Sequence, residues 1–151
     1  MSKALVPIQL ERIVMLLIDT SIWIELLRDK SQVKAAKLKE IIADRNYYLP
    51  IFTKMELLQG CKNEMEWAKM SSYLAVQNYK KPDYTSIWEN AARLYFELRR
   101  QGITVRSNID CAISIIAMEN NLTLYHRDRD FEAIAQYTVL KQKKLDLAIA
   151  D

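Results

Sequence analysis

The sequence predicts a three-layer α/β domain with a mainly parallel central sheet flanked by helices. Short apolar runs rich in β-branched residues alternate with longer segments whose apolar residues recur at helical spacing. Only two glycines and three prolines occur in 151 residues, which favours much helix and few long loops. A chain of this length can bury one substantial core, and no repeat or linker composition divides it.

The first predicted strand is the apolar run at residues 13–18, which ends at Asp19. The run is short and apolar throughout, as a buried parallel strand is. Thr20 or Ser21 can cap the helix that follows. Asp19 is therefore expected at the carboxyl end of a central strand, where open α/β sheets bind ligands. Residues 1–14 fit this pattern poorly, so we expect an N-terminal extension before a single domain at residues 15–151.

The remaining elements are predicted from capping residues, apolar periodicity and turn residues. The first group is a helix capped by Ser31, a strand at 47–49 ended by Pro50, a helix capped by Thr53 and ending near Gly60, a helix at 63–75, and a strand or loop at 75–79. The second group is a helix at 84–101 stopped by Gly102, a helix with a capping box from Ser107 to Asp110, a strand at 122–125, a short helix from Phe131, and a last strand at 138–140.

Composition excludes few functions but indicates the environment of the protein. The net charge of +3 permits nucleic-acid binding without indicating it. Cys61 and Cys111 follow no metal or disulfide spacing, which favours reduced, buried thiols. No apolar stretch reaches the roughly 18 residues that span a bilayer, and residues 1–14 lack the order of a signal peptide. We therefore expect a cytoplasmic protein with no membrane partner.

Acidic residues stand where the predicted elements meet. They are Asp19 after the first strand, Glu56 and Asp110 in the first turns of two helices, and Asp128 and Asp130 after a late strand. Because parallel strands end at one edge of a sheet, these acids can converge. Several carboxylates in one pocket repel each other and need a proton or a divalent cation. Oxygen-only ligands suit Mg²⁺ or Mn²⁺, and such a cation promotes phosphodiester hydrolysis through an activated water.

Each acid taken alone also has a purely structural explanation. Asp19 can be an N-cap, Asp110 a capping-box residue, and Glu56 a helical acid favoured by the helix dipole. Asp128 and Asp130 can be loop or cap residues. What favours a shared site over these explanations is a resemblance to a known family, carried by the segments around these acids.

Four segments carry a family resemblance in that order: LIDTSIWIE at 17–25, ELLQG at 56–60, RSNID at 106–110 and YHRDRDF at 125–131. With them, residues 15 to about 140 resemble the PIN-domain proteins of the VapC type, the toxin ribonucleases of toxin–antitoxin pairs. The resemblance implies a PIN fold, a Mg²⁺- or Mn²⁺-dependent endoribonuclease acting on RNA, a cognate antitoxin and a homodimer. It matches Asp19 and Asp110 to the principal metal ligands, Glu56 to the acid that completes the site, and Asp128 to the fourth acid, with Asp130 as the alternative.

Several neighbouring residues keep two interpretations. Ser21 can contact the metal shell or cap a helix, and His126 can shuttle protons or end a strand with a hydrogen-bond partner. Three arginines can hold RNA phosphates or be solvated or ion-paired (Arg106, Arg127, Arg129). Three tryptophans can belong to the core, to a partner interface or to a surface for base stacking (Trp23, Trp67, Trp88). A basic tail can be solvated or bind phosphate (Lys141, Lys143, Lys144).

Two other function classes compete with the ribonuclease. One is a catalytically degenerate PIN-like interaction module that binds a partner protein, although all of its acids are present. The other is a phosphatase or phospho-acceptor domain with Asp19 as nucleophile, which ranks last because Ser21 stands where a second Asp is usual. Large apolar residues at 20–28 and 53–75 exceed what one sheet face covers, which predicts a partner surface (Trp23, Leu27, Leu57, Met65, Trp67, Met70).

Overall fold

The computed structural model describes residues 14–148, in which seven helices surround a five-stranded sheet. In chain order the elements are β1 Leu16–Ile18, α1 Thr20–Arg28, α2 Val33–Ile42, β2 Tyr47–Pro50, α3 Ile51–Gln59, α4 Glu64–Ala75, β3 Tyr79–Lys80, α5 Ile87–Arg100, α6 Asn108–Glu119, β4 Thr123–His126, α7 Arg129–Ala135 and β5 Lys141–Lys144. None of these helices is both long enough and apolar enough to cross a membrane.

The strands lie in the order β3-β2-β1-β4-β5, and every neighbouring pair is parallel. Central strand β1 pairs through Leu17 with Tyr48 of β2 and with Leu124 of β4. The chain adds β2 and β3 on one side of β1 and then crosses to add β4 and β5 on the other. The strand order therefore reverses between β1 and β4, and the crevice beyond their carboxyl ends is where such sheets bind ligands.

Alternate residues of β1 pack into two separate apolar layers. Leu17 belongs to the layer formed with α5, α6 and α7, which includes Ile116 and Phe131. Leu16 and Ile18 belong to the opposite layer, formed largely with α1, α2 and α4 (among its members Ile22, Trp23, Leu38, Ile42 and Leu74). All of β1 is buried, as expected for a parallel strand covered on both faces. The predicted three-layer α/β class is confirmed.

Two of the three predicted helix starts in the first half are wrong in detail. For α1 the alternative in which Asp19 is the N-cap is confirmed, and Thr20 and Ser21 do not cap it, because the Asp19 carboxylate accepts the Ser21 amide at 3.0 Å. Helix α2 begins after Gln32, which is left-handed with φ of 63° and makes no side-chain cap. Thr53 lies inside α3, which starts at Ile51 directly after the strand. The predicted cap at Ser31 is thus displaced by one residue, and Thr53 is free for another contact.

In the second half, the Ser107 cap is confirmed, since its hydroxyl accepts the Ile109 amide at 3.1 Å. Asp110 does not complete a capping box among the described residues; its own amide donates to the Ser107 carbonyl at 3.2 Å. Helix α7 begins at Arg129, two residues earlier than predicted, because Asp128 caps it.

The last strand is β5 at Lys141–Lys144 rather than residues 138–140. Thr138 instead forms the exit from α7, where its hydroxyl donates to the Ile134 carbonyl at 2.9 Å and accepts the Leu140 amide at 3.2 Å. The uncertain segment at 75–79 contributes only the start of the two-residue strand β3. The predicted extension lies outside the described residues except for Val14, so the domain boundary stays a prediction.

Candidate active site

Asp19 lies at the carboxyl end of β1, in the crevice beside β4. Its amide donates to the Tyr125 carbonyl at 2.9 Å, which continues the pairing of the two strands. Its Oδ2 accepts both the Ser21 amide at 3.0 Å and the Ser21 hydroxyl at 2.6 Å. The Ser21 hydroxyl in turn accepts the Arg127 amide at 3.0 Å. Burial raises the pKa of Asp19, and the bonds from Ser21 oppose that rise.

Glu56 is held by a pair of buried threonines. Its Oε1 accepts the Thr20 hydroxyl at 3.1 Å, and the Thr20 and Thr53 hydroxyls lie 2.9 Å apart. Because Thr20 has one hydroxyl proton and gives it to Glu56, Thr53 donates to Thr20. Burial raises the pKa of Glu56, and Asp19 raises it further against the bond from Thr20. From the sequence, both threonines were predicted only to cap helices. The one sign of a further role was that Thr20 directly follows Asp19 and Thr53 lies one turn before Glu56.

Asp110, in the first turn of α6, is the point at which the acids meet. Its pKa is raised to about 8, first by burial and then by the charges of Asp19, Asp128, Asp130 and Glu56. One carboxylate oxygen each from Asp110, Asp128 and Asp130 lie within 4.8 Å of one another. The five acids named from the sequence therefore share one crevice, and the tightest group is Asp110 with Asp128 and Asp130.

Asp128 and Asp130 are bound to an arginine from the loop before α6. Arg106 donates through Nη2 to Asp128 Oδ1 at 2.7 Å and through Nε to Asp130 Oδ2 at 3.1 Å. Its backbone amide also donates to Asp130 Oδ2 at 3.0 Å. Asp128 caps α7 by accepting the Asp130 amide at 2.9 Å. Arg106 is therefore ion-paired in this structure, which is one of the roles considered from the sequence.

Two other residues near the acids have structural partners. The Arg127 guanidinium contacts Glu25 of α1 at 2.6 Å and the Leu145 carbonyl at 2.7 Å, so it joins α1 to the segment after β5. His126 is fully buried; its Nε2 lies 2.6 Å from Gln142 Oε1, and its Nδ1 accepts the Asp128 amide at 3.0 Å. Because Gln142 Oε1 is an acceptor, Nε2 carries the proton and the ring is neutral. Burial lowers the pKa of His126 and favours that neutral form.

The remaining candidates divide between core and surface. Trp23 is buried and donates to the Ile18 carbonyl at 3.2 Å, whereas Trp67 and Trp88 are exposed. Leu57 is also buried, so Trp23 and Leu57 are not part of the partner surface predicted for 20–28 and 53–75. Three other residues of that prediction are exposed (Leu27, Met65, Trp67). The predicted basic tail is the edge strand β5. Cys111 is buried and Cys61 is half-buried, and both are free.

The donor set fits a hard divalent cation. Its ligands are carboxylate oxygens, which Mg²⁺ and Mn²⁺ prefer, and the described part of the crevice offers no cysteine and histidine set for zinc. Burial is the largest cause of the raised pKa of Asp110, and the charges of the other four acids add to it. The acids at the crevice could hold such a cation, with Asp19 and Asp110 as the candidate principal ligands and Glu56, Asp128 and Asp130 in support.

The chain is similar in sequence to known ribonucleases and matches a known domain family. The PIN domain family matches residues 16–137. Over 129 residues the chain is 30% identical to the VapC ribonuclease Mb1587 of Mycobacterium bovis, covering 84% of this chain and 96% of that protein. Ribonuclease VapC11 of Mycobacterium tuberculosis has the same identity and coverage.

Solved toxin–antitoxin structures share the fold. VapBC-1 from nontypeable Haemophilus influenzae superposes with a TM-score of 0.67 at 20% identity, over 87% of this chain and 98% of the other. VapBC-5 from Mycobacterium tuberculosis gives 0.61 at 21% identity, over 87% and 99%. At this identity the likeness concerns the fold, which agrees with the five-stranded parallel sheet described above. By its fold, its match over residues 16–137 and its VapC relatives, the chain belongs to the PIN domain family.

Proposed function

We propose that this protein is a metal-dependent endoribonuclease, the toxin of a VapBC-type toxin–antitoxin pair. The observation that carries the proposal is the convergence of five acids at the switch point between β1 and β4, where burial and then the charges of the other four raise the pKa of Asp110 to about 8. The relatives named VapC ribonuclease support the same reaction. The proposal places the protein in the cytoplasm, with its RNA substrate.

The chain's own residues would hold and orient the cation and the water. Ser21 donates twice to Oδ2 of Asp19, which fixes the orientation of this carboxylate. Thr20 holds Glu56 in the same way through Oε1. A bound Mg²⁺ or Mn²⁺ supplies a water of lowered pKa and positive charge for the phosphate. No covalent nucleophile is needed, and the buried, neutral His126 is occupied by Gln142 and Asp128.

A partner protein is part of the proposal, because solved relatives of this fold are VapBC complexes. A groove of ≈ 550 Å³ runs between α1, α2 and α4, with a lining that includes Trp23, Leu26, Leu38, Ile42, Tyr47 and Tyr73. An apolar helix of the antitoxin fits such a groove. We further propose a homodimer through exposed apolar residues such as Trp88, which packs edge-on against Phe52 with ring centroids 6.4 Å apart.

The test is RNA cleavage by the purified chain as a function of divalent metal. Cleavage with Mg²⁺ or Mn²⁺, none with excess chelator, and none for Asp19→Asn would support the proposal. A matched control is Glu40→Gln on the exposed face of α2, which should cleave like the wild type. Expression of the chain alone should arrest growth, and a small neighbouring protein should relieve the arrest.

The competing interaction module makes opposite predictions. It requires harmless expression, binding to a partner without cleavage, and no effect of chelator on any activity. Cleavage that persists in Asp19→Asn would also refute the metal mechanism. The structural observation that weighs against the module is that all five acids are retained and converge.

A further inference from the structure

Arg106 provides a positive charge within the acid cluster. Its guanidinium contacts two of the five acids, Asp128 at 2.7 Å and Asp130 at 3.1 Å, although 70% of its side chain is exposed. The two acids are far less exposed, with side-chain exposures of 19% and 9%. A guanidinium can donate along two directions at once, and here its fork joins the N-cap carboxylate of α7 and a carboxylate in the first turn of that helix.

Hydrogen-bond capacity shows which oxygens these contacts occupy. Asp128 Oδ1 accepts from Arg106 Nη2 and from the Asp130 amide, while Asp130 Oδ2 accepts from Arg106 Nε and from the Arg106 amide. Two donors use the lone pairs of each oxygen. The second oxygen of each acid is left for the cluster with Asp110. One of the two donors on each oxygen is a backbone amide, which a side-chain substitution does not remove.

We propose that Arg106 is an internal counter-cation of this site, a positioning residue that weakens the binding of the divalent metal while stabilising the metal-free protein. The inference rests on the proposed function, since it concerns the metal of the same site. In the metal-free protein the guanidinium neutralises part of the charge on Asp128 and Asp130. When a cation binds to the adjacent acids, the same guanidinium repels it and competes for those two carboxylates.

Removal of the charge should therefore have two effects of opposite sign. In Arg106→Gln the backbone amides still hold Asp128 and Asp130, so the free oxygens keep their direction. Loss of the nearby positive charge should tighten Mn²⁺ binding about tenfold at low ionic strength. The metal-free variant should melt at a lower temperature, because the acids lose their counter-charge. Damage to the fold would lower stability and also weaken metal binding, so it cannot produce this pair of results.

The experiment is a Mn²⁺ titration of the full-length, metal-free chain. Binding is measured by calorimetry and by the electron paramagnetic resonance signal of free Mn²⁺. Arg129→Gln is the matched control, because Arg129, the first residue of α7 between Asp128 and Asp130, is exposed and has no ion pair among the described residues. Its Mn²⁺ affinity should change by less than about twofold, as an exposed charge contributes little. Arg106→Lys keeps the charge but not the fork that reaches both carboxylates, so its Mn²⁺ affinity should lie between those of the wild type and Arg106→Gln.

Several results would overturn the proposal. Equal or weaker Mn²⁺ binding by a folded Arg106→Gln refutes it, and so does an equal gain in Arg129→Gln, which would show an effect of net charge alone. If the wild type binds no Mn²⁺, the proposed metal mechanism fails together with this inference; if it binds but Arg106→Gln gains nothing, only this inference fails.

A second measurement needs no variant. The Nε–H signal of Arg106 in nuclear magnetic resonance should shift when Mg²⁺ is added to the wild type, because the bond to Asp130 weakens. A signal that stays fixed while the amide of Asp110 shifts would refute competition between the arginine and the metal.

Discussion

Neutralising Asp110 should stabilise the metal-free protein, and the gain should depend on pH. The folded state raises the pKa of this carboxyl from 3.8 to about 8, mainly through burial and secondly through Asp19. The unfolded chain loses the proton near its ordinary pKa, so the folded state holds the extra proton between roughly pH 4 and pH 8. The free energy of unfolding therefore falls as pH rises through this window and stays low above it.

The size of the effect follows from the pKa difference. Each pH unit corresponds to about 1.4 kcal/mol, so the full shift sets an upper limit of roughly 6 kcal/mol. Asp110 is only partly buried, and its acidic neighbours and nearby water relax when it ionises, so we expect about 2 kcal/mol. In a domain of this size that equals about 4–8 °C in melting temperature. Asp110→Asn should show this gain at pH 9 and little of it at pH 5.

The assay is thermal unfolding with chelator at both pH values, with Glu40→Gln as an exposed acid that should show no such pH-dependent gain. Added Mg²⁺ should stabilise the wild type, since a ligand of the folded state raises its stability, and should therefore narrow the difference in melting temperature between Asp110→Asn and the wild type. If Asp110→Asn is no more stable than the wild type at pH 9, or gains equally at pH 5, the acids do not share a pocket as we have argued.

Four further results are expected. Asp19→Asn keeps an oxygen for the Ser21 amide, so α1 stays capped, yet RNA cleavage in a gel assay should fall more than about 100-fold; a smaller loss would remove Asp19 from the metal ligands. Thr20→Val removes the hydrogen bond that Glu56 accepts, so it should slow cleavage about tenfold and lower the free energy of unfolding in denaturant by about 1–2 kcal/mol. Unchanged activity would mean that the threonine pair is purely structural. Light scattering at micromolar concentration should give twice the mass of the chain, and a strictly monomeric mass would contradict the proposed dimer. The Glu56→Gln variant should abolish growth arrest and still co-purify with the proposed antitoxin.

Local patterns predicted the elements and the acids better than they predicted their contacts. Asp19 was found because an apolar run ends at it and a helical pattern begins. The partners of Thr53 and Arg106 were not found, because they lie 22 to 33 residues away in the chain. Nothing in the adjacent sequence distinguishes a threonine that caps a helix from one that holds Thr20.

The last strand shows a different limit of the sequence. Residues Lys141–Lys144 have no apolar alternation, and their strand conformation comes from pairing with β4 at the edge of the sheet. Lysines at a sheet edge also discourage pairing with other chains. The segment at 138–140, with a threonine and two aliphatic residues, resembled a strand more closely, but its hydrogen bonds are used to end α7.

The parallel pairing of β1 with β4 has a consequence for the time at which activity arises during synthesis. Leu16 pairs with Thr123, so the centre of the sheet joins residues from opposite ends of the described chain. Contacts of such large sequence separation form slowly and late. A nascent chain that has left the ribosome as far as α5 has Asp19 and Glu56 but lacks Asp110, Asp128 and Asp130. Such a chain cannot assemble the five-acid site, so the RNA cleavage proposed above could begin only after α7 has been synthesised.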